Sequence, residues 1–110
     1  MDFRNLAQRA MHVRQQYADL EKKQHGRAWT NEEVALGFAG DVGDLMKLVQ
    51  AKNGVRDIPD ADSKLAHELA DCLWSVIVLS ELFGVDLESA FMRAMDDVEA
   101  AIAAQKPVGE

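Results

Sequence analysis

The chain has 110 residues, 48% of them hydrophobic, and a formal net charge of −7. That length suits one helical domain over residues 1–110 with a modest core, and the apolar fraction excludes a disordered chain. The negative charge excludes binding to nucleic acid by backbone electrostatics alone, and a phosphorylated ligand would need a cation or a local basic patch.

The first predicted helix runs from Phe3 to Lys23. Phe3, Leu6, Ala10, Val13, Tyr17 and Leu20 alternate steps of three and four, which makes one inward stripe. Arg4, Arg9, Arg14, Lys22 and Lys23 fall mostly on the outer face. Met1-Asp-Phe-Arg is not followed by the apolar stretch of a secretory signal. Gly26 is placed to end the helix.

The second helix begins at Thr30-Asn-Glu-Glu33, a capping box in which Thr30 accepts from the Glu33 amide and Glu33 reaches back. Trp29, just ahead of it, is either a hydrophobic staple or a platform for a flat ligand. The helix continues to Lys52, and Asn53-Gly54 signals a turn. Its middle works against its own stability. Gly37, Gly40 and Gly43 each cost about 1 kcal/mol against Ala, and Asp41 and Asp44 are poor helix formers that repel each other across one turn. A bound cation would compensate for the paired charge. Glycines at regular spacing suggest a face kept bare for something to approach, so that a larger side chain at position 40 would clash.

In the following loop Asp57, Asp60 and Asp62 alternate, but the bidentate Glu of a calcium-binding loop is missing; Asp60 is expected to cap the third helix. That helix spans Ala61 to Phe83 and is closed by Gly84. It carries Glu68 and Asp71 with the same spacing as Asp41 and Asp44. In an antiparallel hairpin, residues whose numbers share a sum lie level. Asp41 with Asp71 and Asp44 with Glu68 have the same sum, as do the helix ends Lys52 and Asp60. A symmetric hairpin therefore brings four carboxylates to one height, and they cannot all stay ionised in a part-buried groove without a compensating charge. Hard oxygen ligands of this kind suit Mg²⁺ or Mn²⁺. Lys47 and Lys64 stand one turn from the acids on the loop side, either as local ion pairs or as contacts for phosphate oxygens.

After Asp71 the third helix is apolar on nearly every side, from Cys72 to Leu82, so a second chain is expected to cover its outer face. The apolar run from Cys72 to Leu79 is too short to cross a bilayer, and the single Cys72 excludes an internal disulfide and suits a reducing, cytoplasmic compartment. A fourth helix, capped by Asp86, presents Leu87, Phe91, Met95, Val98 and Ile102 and fades before Pro107. No Glu is followed by His at the spacing of a di-iron carboxylate bundle.

Gly40-Asp-Val-Gly-Asp-Leu, Glu68-Leu-Ala-Asp with Leu73-Trp, and Phe83-Gly-Val-Asp-Leu-Glu-Ser-Ala-Phe91 together resemble the MazG-like nucleoside triphosphate pyrophosphohydrolases, over roughly Trp29 to Met95. The resemblance implies an all-α, four-helix bundle completed by oligomerisation as a homodimer or homotetramer. It also implies Mg²⁺-dependent cleavage of a nucleoside triphosphate to the monophosphate and pyrophosphate, in the manner of nucleotide-pool housecleaning. Asp41, Asp44, Glu68 and Asp71 take the metal-ligand positions in that comparison. The sequence departs from the family pattern where Gly40 stands at its first Glu, and where Asp41 and Asp44 replace Glu. A catalytically weak or inactive relative that binds metal, nucleotide or another protein is the competing expectation.

Overall fold

A computed structural model of the chain describes residues 2–104. It contains four helices and, among the described residues, no strand: α1 (Phe3–His25), α2 (Asn31–Lys52), α3 (Ala61–Leu82) and α4 (Leu87–Ala103). Pro107, the expected limit of the last helix, lies outside the described residues. No helix among them is long and apolar enough to cross a membrane.

The helix ends follow local chemistry. Asp2 caps α1 by accepting from the Asn5 amide, and Gly26 ends it two residues beyond the expected limit, in the left-handed conformation (φ 81°), its N–H donating to the Lys22 carbonyl. The Thr30–Glu33 capping box is complete in both directions. Arg27 reinforces it, donating through Nη1 and Nη2 to the two Glu33 oxygens at 2.6 and 3.2 Å. Asp86 caps α4 through the Ser89 amide.

Asp60 departs from expectation. It occupies the position before α3, but its side chain makes no capping bond and its backbone is left-handed, with φ 55°. Asp is among the few residues that tolerate this region. The Ser63 hydroxyl donates to its carbonyl instead.

The third helix is the centre of the fold, with α2 and α1 packed against it. Ala7, Ala10, Val34, Ile77 and Val78 are buried together, and Trp74 extends this core by donating its indole N–H to the Ala10 carbonyl at 3.2 Å. Tyr17 meets the Trp74 ring edge-on, with centroids 5.9 Å apart.

Two parts of the expected packing differ. Arg14, assigned to the outer face of α1, is buried at 8% exposure, while Leu6, Tyr17 and Leu20 of the supposed inward stripe remain exposed. The fourth helix contributes no fully buried residue, although Leu87 packs against the core. The radius of gyration is 17.1 Å, where about 13 Å is usual for a compact domain near this length. The outer side of α3 is uncovered as well, with Leu73 51% exposed.

Candidate metal centre and adjoining cavities

Antiparallel pairing of α2 and α3 brings three of the four expected acids into one group. Asp41, Asp44 and Glu68 each offer a carboxylate oxygen such that the three lie within 4.8 Å of one another. Asp71 stands beside this group: its charge acts on Asp41 and Glu68, and its Oδ2 is 3.1 Å from His67 Nε2.

The electrostatics are adverse. Asp41 is held above the usual carboxylate range first by burial, then by the charges of Asp71 and Asp44, with His67 opposing. Glu68 is raised first by burial and then by Asp41, Asp71 and Asp44, again with His67 opposing. Glu68 Oε2 is buried and has no hydrogen-bond partner among the described residues. A buried, unpartnered acceptor costs about 1–3 kcal/mol. Burial, followed by Asp41, Glu68 and Asp71, also raises the Cys72 thiol.

This donor set fits a small hard cation. Mg²⁺ binds oxygen at about 2.1 Å, so oxygens on opposite sides of one ion stand ~4.2 Å apart, within a side-chain adjustment of the observed cluster. The ion would satisfy the Glu68 acceptor and neutralise the repulsion.

A cavity adjoins the cluster on each side. The smaller, about 420 Å³, is lined on the loop side by Asp44, Lys47, Ile58, Lys64, His67 and Glu68. Lys47 Nζ lies 4.0 Å from Asp44 Oδ1, a loose pair between exposed side chains. The larger, about 730 Å³, lies among α1, α2 and α3 and presents Tyr17, Trp29 and Trp74 together with Asp41 and Asp71. Its size is that of a small-molecule pocket.

Both expected lysines therefore border one cavity and Trp29 the other. Trp29 packs over α2: a Cβ added to Gly37 would meet its Cζ3 at 3.5 Å. Among the described residues, nothing beyond the neighbouring turns of α2 stands within 4 Å of a Cβ added to Gly40 or Gly43, so no other described element makes the close approach expected at those two glycines.

Sequence reasoning missed His67, Arg14 and Glu21. His67 is legible afterwards as the residue four before Asp71 on the same face. Arg14 and Glu21 are two helical turns apart, a spacing that brings opposite charges to one face of α1.

Residues 29–100 match the family described as the MazG nucleotide pyrophosphohydrolase domain, which is more than half of the chain. No curated protein and no solved structure matches it.

Proposed function

Since the chain belongs to the MazG nucleotide pyrophosphohydrolase domain family, we propose that it hydrolyses a nucleoside triphosphate to the monophosphate and pyrophosphate with the help of Mg²⁺ or Mn²⁺. The observation that carries this reading is the Asp41–Asp44–Glu68 cluster, with its unpartnered Glu68 oxygen, placed between two cavities of different character.

Asp41, Asp44 and Glu68 would hold the cation, and Asp71 would join them on release from His67. When bound, it would withdraw charge from the phosphate oxygens and make water a better nucleophile. Lys47 and Lys64 offer ammonium groups to the leaving pyrophosphate in the smaller cavity. Trp29, with Tyr17 and Trp74, offers aromatic faces to the nucleoside in the larger one. The scissile bond would then lie at the cluster, where the two cavities meet.

The working unit in this proposal is a homodimer or a pair of such dimers. The chain exposes 8184 Å², whereas a folded monomer of 12.2 kDa exposes about 6,100 Å². The excess matches what a chain surrenders in a large, obligate interface. The lone Cys72 suits a reducing, cytoplasmic setting for this assembly.

Gly40 favours a second reading, in which the chain binds metal and nucleotide with little or no turnover, because one carboxylate of the family pattern is missing. The deciding experiment is pyrophosphate release from a panel of ordinary and modified nucleoside triphosphates with each metal. Release that stops on chelation supports the enzyme. Metal and nucleotide binding without release selects the second reading.

A further inference from the structure

Arg14 and Glu21 form a buried ion pair remote in sequence from the acid cluster, with side chains only 10% and 12% exposed and Nη1 3.3 Å from Oε1. Arg14 Nη2 lies 3.3 Å from the same oxygen. Arg14 Nη1 also donates to Glu21 Oε2 at 3.3 Å, and the hydrogen bonds these side chains make outside the pair converge on one residue. Arg14 Nη2 donates to the Trp29 carbonyl at 3.2 Å, and the Trp29 amide donates to Glu21 Oε1 at 2.8 Å. Both backbone polar groups of Trp29 are thus held by the pair.

Stability alone is a weak reason for such a pair. Desolvation of the two charges offsets most of their attraction, and well-packed apolar side chains in the same volume are often as stable. Apolar side chains could not hold the Trp29 backbone from two directions. That backbone sits immediately before the Thr30 cap, and the ring it carries lies across Gly37 in the wall of the larger cavity. A flat ligand stacked on the ring needs the ring held at a fixed height, and the backbone anchor together with the bare Gly37 surface sets that height.

We propose that Arg14 and Glu21 are positioning residues for nucleoside binding: they lock the Trp29 backbone so that its ring meets the base of the substrate. The inference rests on the reading of the larger cavity as the nucleoside site. Arg14 and Glu21 line the larger cavity beside Trp29 and not the smaller one with Lys47 and Lys64, so the pair acts on nucleoside affinity and leaves the phosphate end unaffected.

Calorimetric titration with Mg²⁺ present separates the two ends with two probes. One is inorganic pyrophosphate; the other is the set of α,β-imido deoxynucleoside triphosphates carrying the four ordinary bases. Trp29→Ala and the double variant Arg14→Leu/Glu21→Leu should each weaken the best-bound triphosphate analogue tenfold or more and leave pyrophosphate within twofold. Combining the three substitutions should add no further loss, because both changes act through one residue. Arg14→Lys keeps the charge but lacks the planar fork that bonds carboxylate and carbonyl together. It should show the same selective loss, and it decides the matter where the double variant fails to fold.

A merely structural role would weaken both probes together, and that result would overturn the proposal. So would parental analogue binding by Arg14→Lys and the double variant while Trp29→Ala binds weakly. Parental binding by Trp29→Ala would also overturn it, by placing the base elsewhere, and would leave the metal–phosphate reading standing. A parent that binds neither probe would refute the proposed function and this inference with it.

Discussion

Asp41 and Glu68 stand on facing helices with carboxylate oxygens within 4.8 Å, and burial together with the surrounding negative charge raises the pKa of each. Both shifts are upward, so the folded chain keeps these protons to higher pH than the unfolded chain does. The stability this confers on the metal-free protein is fully present below the ordinary carboxylate range and is lost as pH rises through the folded values. Asp41→Asn or Glu68→Gln should therefore raise the metal-free melting temperature at pH 7 and flatten its decline between mildly acid and neutral pH. Mg²⁺ or Mn²⁺ at a hundredfold excess over Kd should stabilise the parent by about 2.7 kcal/mol and the variants far less. Variants that lose stability without metal and respond to it like the parent would make the acids structural.

Glu33 is the opposite case. The Arg27 guanidinium, and then the Thr30 amide, hold its carboxyl down to about 2. A lowered value contributes stability that is present above the ordinary carboxylate pKa and is lost as pH falls toward the folded one. Glu33→Gln keeps an acceptor for the Thr30 amide and loses the charge that faces Arg27. Thermal melts should show the variant less stable than the parent at pH 7, with the gap closing as pH falls from about 5 toward 2. A constant gap would mean that the pair with Arg27 contributes nothing.

Leu73 at 51% exposure and Phe83 at 67% leave the outer side and the end of α3 uncovered, and α4 stands apart with no fully buried residue. Sedimentation at micromolar concentration should show a dimer or larger species and no 12.2 kDa monomer. A stable, well-folded monomer would sink the proposed assembly.

What was legible in the sequence was the chemistry carried by local spacing. The capping box at Thr30, the cap at Asp86 and the left-handed Gly26 and Gly84 need only neighbours within a turn, so residue type was sufficient. The acid cluster was legible because a hairpin with equal arms has one register, and Asp44 and Glu68 fall level in it. Arg14 was misplaced because a cation between Val13 and Tyr17 reads as surface. Its burial depends on Glu21 and on a loop carbonyl, partners that helical periodicity does not reveal. Tyr17 and Leu20 keep the periodicity of a core stripe yet remain exposed, because α1 packs α3 through the smaller Ala7 and Ala10.

Gly40 separates two sources of constraint. Among the described residues its Cβ position is open, so Gly40→Glu should favour α2 by up to ~1 kcal/mol, less ~0.2–0.5 kcal/mol for the new repulsion with Asp44 one turn on. A loss of stability would then point to a contact beyond the described residues. Leu36, one turn earlier on the same face, is 71% exposed, and a second copy covering this face in the proposed assembly would bury it. A glutamate there would overpack the contact at a cost of about 1–3 kcal/mol. The variant should therefore dissociate more readily in sedimentation and melt lower than the parent at high protein concentration, yet melt no lower once both are dilute enough to be monomeric. Unchanged association, a higher melting temperature at every concentration and faster pyrophosphate release would mean instead that position 40 is a vacated ligand site.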